Sequence, residues 1–279
     1  MIWRRGLVVF YLRDDATVKL SGGSMIESPP RDGSIIIAQT LSHITGRLIA
    51  MRTHCLIVVL TIAAALPGAS FADDPKPNDK TIGLQPPEGA VMLIGQSLDP
   101  WLNGDGKGAA EWPISEGVAT VGKGNIKTKE KFGDFQMHVE FQVPLMPEAK
   151  GQARGNSGVY LQGNYELQIL DSYGLKLQSN DCGAIYQQII PSVNACKPPL
   201  QWQTYDITFH AAKRDGDKVV KKARLTVVQN GLTIIDDKEI SPTPGGVGGI
   251  KEGEDGPIML QDHGNKVQYR NTWIKPLTS

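Results

Sequence analysis

The sequence predicts an all-β protein built as an antiparallel β-sandwich. Short runs alternate apolar and polar side chains, the period of strands with one face in a core. Turn dipeptides and glycine-rich stretches separate those runs, and 31 glycines and 18 prolines among 279 residues supply the breaks. No amphipathic helical pattern is sustained beyond two turns.

Taken in order, VMLIG at 91–95 is the first expected strand. The stretch 101–128 carries two tryptophans among many glycines and reads as short strands and loops at one end of a sheet. Residues 134–143 form the clearest strand. Phe135, Met137, Val139, Phe141 and Val143 alternate with Gln136, His138, Glu140 and Gln142, so the first set faces a core and the second faces out. SGVYL and YELQILD flank Gln162-Gly163-Asn164, which has hairpin chemistry. Further strands are expected at 203–212, 223–231 and 232–236, the last two joined by a tight Asn230-Gly231 turn. GPIMLQDHG and NKVQYRNTWIKPL close the chain as two more.

The amino-terminal quarter reads differently. Arg52 precedes an apolar run at 55–66, Pro67-Gly68 breaks it, and Ser70-Phe71-Ala72 is a small-x-small cleavage site. That order is the layout of a secretory signal peptide. The run is short of the ~20 residues of a comfortable membrane span; a buried helix or a membrane anchor is the competing reading. We therefore expect 1–50 to be a mis-assigned upstream extension and 51–72 a signal. Residues 73–87, rich in proline, should form a linker, and 88–279 one domain. The product would be exported, to the periplasm or beyond, with no stable membrane insertion. Cys182 and Cys196 remain in it, and an exported chain with two cysteines often joins them, so a disulfide is expected. The chain holds 29 basic and 29 acidic residues. That balance gives no electrostatic reason to expect nucleic acid or an anionic membrane as partner.

Chemistry-bearing residues concentrate in GNSGVYLQGNYELQILD at 155–171. Strict alternation puts Glu166 and Gln168 on one face and Asp171 on the other. A β-bulge after Gln168 would bring Asp171 round to join them. The order E-x-Q-x-x-D resembles the E-x-D-x-x-E strand of β-jelly-roll glucanases, though a water-facing edge strand also carries such residues. Arg154, Asn156 and Ser157 sit in a glycine-flanked turn, either simple turn chemistry or the mouth of a cleft. Tyr160, Tyr165, Tyr173, Tyr186 and Trp202 are either core residues or platforms for a sugar face. His263 is expected in an exposed turn, where an imidazole titrates near neutral pH. Arg270 is expected on the opposite face from Asn271 and Trp273, with Glu166 or Asp171 as its carboxylate partner. His138 and Glu140 either join the same cleft or form a solvated face, the reading we favour.

FGDF (132–135), GNSGVY (155–160), YELQILD (165–171), CGAIY (182–186), GPIMLQDHG (256–264) and YRNTWIKPL (269–277) occur together and in this order. In this the chain resembles the 3-keto-disaccharide hydrolase domain family over residues 88–277. It departs at PPLQW (198–202), where the family often has Gly-Glu before the Trp. The resemblance implies a concanavalin-like β-sandwich, or jelly roll, that binds carbohydrate and acts on glucosides oxidised to a ketone at C3. Such a ketone acidifies the C2 proton. A base removes it, an acid assists the C1 leaving group, and water adds back. The residues assigned on this basis are Glu166 or Asp171 as base and His263 as acid. Asn156, Tyr160, Gln168, Tyr186 and Arg270 would contact substrate. No organic cofactor is expected. An oxygen-rich site of this kind can hold a divalent cation, but no ligand spacing names one. Two other classes stand beside this reading: a two-carboxylate glycosidase and a non-catalytic carbohydrate-binding module.

Overall fold

The computed structural model describes residues 76–277. The expectations for 1–50 and 51–72 lie outside them. The strands are β1 (Val91–Ile94), β2 (Trp101–Asn103), β3 (Ile114–Ser115), β4 (Val118–Thr120), β5 (Ile126–Thr128), β6 (Phe135–Gln142), β7 (Ser157–Leu161), β8 (Tyr165–Ile169), β9 (Gln203–His210), β10 (Lys213–Asp215), β11 (Lys218–Lys221), β12 (Ala223–Gln229), β13 (Leu232–Ile240), β14 (Met259–Leu260) and β15 (Gln268–Pro276). The helical content among the described residues is one 3-10 turn, Gly151–Ala153, and no helix among them is long and apolar enough to cross a membrane.

The larger sheet runs β13-β12-β9-β6-β15-β4-β3, with β1 also paired to β15. The smaller runs β2-β5-β14-β7-β8, and β10 and β11 form a separate ribbon. Their inner faces share one core. Phe135, Met137, Val139 and Phe141 come from β6, Tyr205, Ile207 and Phe209 from β9, and Val159, Tyr165, Leu167 and Ile169 from the small sheet. Tyr165 meets Phe209 across the sheets with ring centroids 5.5 Å apart, a contact that adds specific geometry to the burial of apolar surface. This is the predicted antiparallel sandwich. Asn230 and Gly231 both take positive φ, 50° and 78°, as a two-residue turn matching strand twist requires.

The inner face of β6 follows the expected alternation, but the outer face does not. Gln136 is exposed, while His138 and Glu140 are buried, which corrects the solvated-face reading. The cause lies in β15. Its register against β6 shifts between Arg270 and Trp273, with Asn271 at φ 38°. The bulge turns two consecutive side chains onto Glu140, instead of placing them on opposite faces. Arg270 Nε donates to Oε2 at 2.7 Å and Asn271 Nδ2 to Oε1 at 2.8 Å. Trp273 stacks on the His138 ring, and Arg270 lies 4.0 Å over the Trp202 ring. His138 Nδ1 pairs with Asp206 Oδ1 at 2.7 Å. The described part of the expected linker carries no strand, yet it is docked here. Gly83 N donates to Glu140 Oε1 at 2.5 Å, Trp273 Nε1 donates to Leu84 O at 3.1 Å, and Lys197 Nζ pairs with Asp79 at 2.5 Å.

Burial alone would raise the Glu140 pKa. The hydrogen bonds from His138, Asn271, Gly83 and Arg270 together outweigh it and hold the carboxyl at about 2. Burial likewise opposes the charge on His138, and Asp206 and Glu140 overcome it to raise that pKa. A lowered carboxyl pKa contributes stability that is complete above the ordinary value of 4.5 and lost as pH falls toward 2. A raised histidine pKa contributes stability that is complete below 6.5 and lost as pH rises through its folded value. The cluster is therefore tightest between these limits. Glu140→Gln should destabilise the protein by roughly 2–3 kcal/mol at pH 6, less than for a fully buried pair because Arg270 is a third exposed. The difference should shrink as the pH falls below 4.5. Urea unfolding at pH 6 and at pH 3 measures it, and an unchanged midpoint at pH 6 would show that the cluster does not hold the amino-terminal segment at 79–84.

Candidate functional site

The register of the small sheet builds the site. Leu102, Lys127, Met259, Tyr160 and Glu166 stand opposite one another in a single row across all five strands. The adjacent row, Ile126, Leu260, Val159 and Leu167, is fully buried in the core. Period two then turns the first row to the outer face. One step further along, Gly158 faces Gln168, and Gln261 N donates to Gly158 O at 3.0 Å. Tyr160, Glu166, Gln168 and Gln261 floor a cleft of about 190 Å³, completed by Gln152, Asn156, Tyr186, Pro244, Gly245 and His263.

Each wall is held by a local contact. β8 would be an open edge, but Tyr186 N donates to Glu166 O at 3.1 Å and Gln168 N to Ala184 O at 2.9 Å. That pairing brings the 182–186 segment, and Tyr186 with it, to the rim. Ser157 Oγ donates to Gln261 O at 2.6 Å, fixing β14 against β7. Tyr160 donates its hydroxyl to Pro244 O at 3.1 Å and receives Gln261 Nε2 at 3.4 Å. Gly158 leaves the carboxylate its place: a Cβ there would stand 2.8 Å from Glu166 Oε1 and push it aside. A glycine inside a strand often marks such a close approach. Asn156 Nδ2 donates to Gln152 O at 2.7 Å, and Gln168 Nε2 to Asn156 Oδ1 at 3.1 Å. Gln168 Oε1 and Gln261 Oε1 have no hydrogen-bond partner, so the site presents free acceptors to a ligand with hydroxyl groups.

Glu166 is the one carboxylate in this lining and is 4% exposed. Burial raises its pKa to about 7, with the Tyr160 hydroxyl pulling the other way. Burial and the Glu166 charge also push the Tyr160 phenol up, so it stays protonated. His263 is exposed at the mouth. Its turn is fixed by Asp262, whose carboxylate accepts Gly124 N–H and Gly264 N–H, each at 2.8 Å.

Of the residues singled out in the sequence, Glu166, His263, Asn156, Tyr160, Gln168 and Tyr186 line one cleft. Asp171 and Arg270 do not. The β7–β8 register runs unbroken to Ile169, so the bulge invoked for Asp171 is absent. Asp171 lies beyond the strand, where its carboxylate pairs with Arg154 Nε at 3.1 Å and its carbonyl accepts Arg154 Nη2 at 2.7 Å. It anchors the 151–155 turn that carries Gln152. Arg270 pairs with Glu140 on the outer face of the other sheet, not with Glu166 or Asp171. Tyr165 is core and Tyr173 is exposed. The cysteines also differ from expectation: both are free and buried. Cys182 Sγ lies 3.1 Å from Tyr205 Oη, and Gln229 Nε2 donates to both sulfurs at 3.6 Å. The hydrogen bond with Cys182 and burial raise the Cys196 thiol, as befits an unreactive buried group.

Gln261 and Gln152 were missed. The alternation Met259, Gln261, His263 places Gln261 on the face of His263 and was available as a signal. Gln152 sits in a 3-10 turn with no periodicity to reveal it. Among the described residues no three His, Cys, Asp or Glu side chains gather as a metal ligand set.

Residues 89–275 match the 3-keto-alpha-glucoside-1,2-lyase-like domain. A candidate glycosyl hydrolase from Parabacteroides distasonis ATCC 8503, solved at 2.13 Å, is 40% identical, with a TM-score of 0.63 over 68% of this chain and 85% of that one. A second candidate glycosyl hydrolase from the same organism, at 1.70 Å, shares the fold at 21% identity, with a TM-score of 0.51 over 68% of this chain and 95% of its own. No curated protein matches the chain. The match over most of the sandwich, from the strand before β2 to the end of β15, shows that this chain belongs to the 3-keto-alpha-glucoside-1,2-lyase-like domain family.

Proposed function

We propose that this protein is a carbohydrate-active enzyme that cleaves glucosides carrying a ketone at C3, with Glu166 as the base. The observation that carries this reading is a lone buried carboxylate with a pKa of about 7 in a small amide-lined cleft. A general base works best when its pKa lies near the working pH. Here the tuning comes from burial without a cationic partner, so the Arg-assisted carboxylate of the sequence reading is replaced by its opposite.

The C3 ketone acidifies the C2–H bond, and Glu166 takes that proton. Negative charge moves to the C3 oxygen, where Gln261 Nε2 has one N–H left after its contact with Tyr160. Expulsion of the C1 oxygen then forms the C1–C2 double bond, and His263 at the mouth supplies the proton for the leaving oxygen. Release of the unsaturated ketone gives a lyase; addition of water across the new bond gives a hydrolase. Gln168 Oε1 and Gln261 Oε1 accept hydroxyl protons of the ring. A retaining or inverting glycosidase would need a second carboxyl ~5 to 9.5 Å from the first, and Asp171, the other candidate, is turned to Arg154. A binding module has no use for a carboxyl tuned in this way. Export is supported by the charge, apolar and small-residue order of 51–72.

Glu166→Gln should lower turnover of a 3-keto-glucoside by ~10²–10⁴-fold. In the parent protein kcat/KM should climb with pH through about 7 as Glu166 ionises. A flat profile across pH 6–8 would remove Glu166 from the role of base. Its raised pKa contributes stability complete below 4.5 and lost as pH rises through about 7. Glu166→Gln should therefore be more stable than the parent at pH 8, by up to a few kcal/mol, as urea unfolding would measure. Asp171→Asn should lose thermal stability and keep kcat within a few-fold of the parent; a loss equal to that of Glu166→Gln would reassign the base. For export, N-terminal sequencing of protein secreted by a bacterial host should start near Asp73, and retention of residues 1–50 would refute both signal and start site.

A further inference from the structure

Beside Glu166, three side-chain amides form one hydrogen-bonded group. Gln168 comes from β8, Asn156 from the position before β7, and Gln152 from the 3-10 turn at Gly151–Ala153. We infer that Gln152 and Asn156 are positioning residues that turn the Gln168 nitrogen away from Glu166, so that this amide gives the carboxylate no donor and shows its oxygen to a ligand instead. The inference deepens the reading of Glu166 as the base, on which its purpose rests.

The polarity of the group is set from outside, by two main-chain carbonyls. An amide nitrogen only donates and an amide or peptide oxygen only accepts, so what each end meets decides which end it is. Gln152 Nε2 donates to Asn180 O at 2.7 Å, which leaves Gln152 Oε1 turned inward. Asn156 Nδ2 donates to Gln152 O at 2.7 Å and to Gln152 Oε1 at 3.2 Å, which leaves Asn156 Oδ1. Gln168 therefore faces two acceptors and meets them with its nitrogen. Nε2 donates to Asn156 Oδ1 at 3.1 Å and to Gln152 Oε1 at 3.4 Å, and both of its protons are used. Reversing Gln168 would set its oxygen against two oxygens. Asn156 cannot reverse to receive it without turning its own oxygen on the Gln152 carbonyl. The segments that carry these carbonyls are held in turn. Gln178 N donates to Asp181 Oδ2 and Gln187 N to Ser179 O, each at 2.7 Å, around Asn180. Arg154 Nη2 ties the turn of Gln152 to Asp171 O.

The register gives the direction. Tyr160 faces Glu166 and Gly158 faces Gln168, so Asn156 continues the series on the side of Gln168 away from Glu166. The Gln168 nitrogen points to that side. Its oxygen is the free end: Gln168 is 1% exposed, and Oε1 has no hydrogen-bond partner. An acceptor buried in this way favours a ligand that brings it a hydroxyl or an N–H. The effect on Glu166 is separate. A donor to a carboxylate stabilises its charge and weakens it as a base. The Tyr160 hydroxyl on β7 already acts in that sense, and burial prevails over it. The other titratable groups lining the cleft are Tyr186 on the 182–186 segment and His263 on the turn after β14, while Pro244 and Gly245 bring none. The Arg154–Asp171 pair stands behind the turn of Gln152.

The test is a carbon NMR titration of the Glu166 carboxyl in glutamate-labelled protein with no ligand present, the signal being assigned by its loss in Glu166→Gln. The parent should titrate at about 7. Asn156→Ala frees the Gln168 amide to turn an N–H toward Glu166, and the midpoint should fall by about one pH unit. Gln168→Met has no amide to turn, so its midpoint should stay with that of the parent, and adding Asn156→Ala to it should change nothing. Loosened packing or entering water would move the midpoint with or without the amide. An equal fall in both backgrounds would therefore make Asn156 merely structural and overturn the inference. A midpoint that Asn156→Ala leaves in place, or a parent that titrates in the ordinary carboxylate range, would overturn it too. Where Asn156→Ala does not fold, Asn156→Leu, close in size and equally without a polar group, takes its place with the same outcomes. Turnover separates this result from the proposed function. A titration that runs as expected while Glu166→Gln keeps full turnover of a 3-keto-glucoside would keep the amide orientation and remove the base. A titration that fails while Glu166→Gln loses turnover would do the reverse.

Discussion

The site depends on the register between β7 and β8. Because side chains alternate along a strand, a slip of one residue would exchange Glu166 and Gln168 for Leu167 and Ile169 and put the carboxylate in the core. The chain fixes the register at the turn. Gln162 and Gly163 take φ values of 49° and 65°, and Asn164 N donates back to Leu161 O at 3.0 Å. The loop at 244–250 then lies on that turn, so the pin on the register is also a wall of the cleft. On the inner face Tyr165, Leu167 and Ile169 make the opposite demand, and the two demands agree on one pairing.

Two glutamates show how environment sets the role of one residue type. Glu140 and Glu166 are both nearly inaccessible, at 1% and 4% exposed, on the outer faces of opposite sheets. Glu140 receives a histidine, an arginine, an amide and a backbone N–H, and its carboxyl falls to about 2. It holds its charge and ties the amino-terminal segment to β6 and β15. Glu166 receives no cation, and its carboxyl rises to about 7. Its charge can therefore come and go at neutral pH, as proton transfer requires. Exchanging the two environments would leave the protein with a permanent anion in the cleft and a loose amino-terminal segment.

Much of this was legible in the sequence. Period-two runs located β6, β7, β8, β9 and β12, and the glycine-containing turns located two hairpins. Alternation alone put Glu166 and Gln168 on one face. What it could not supply were departures from alternation. A bulge was assigned after Gln168, where the strand is regular, and none at Asn271, where one exists. Both errors moved a charged residue to the wrong place. Arg270 and Glu140 are 130 residues apart, and no local pattern links them. The fate of Cys182 and Cys196 was equally hidden. Their sulfurs are partnered by Gln229 and Tyr205, from strands β12 and β9 of the other sheet.

The remaining feature of the architecture is how the cleft is opened. In many enzymes loops rise above a rigid sheet to enclose a substrate. Here, space is made by withholding side chains from the sheet and from the loop that crosses it. Gly158 leaves room for the Glu166 carboxylate inside a regular strand, and Gly245 and Gly246 let the crossing loop sit against Tyr160 and the Gly163 carbonyl. A glycine in a strand weakens it, so the small sheet gives up local stability along the line where chemistry is proposed. The core behind it compensates, since the same strands turn Val159, Leu167 and Leu260 inward at full burial. Stability and site thus occupy alternate residues of the same strands. That arrangement explains why the outer face can be thinned around Glu166 without loosening the strand that carries it.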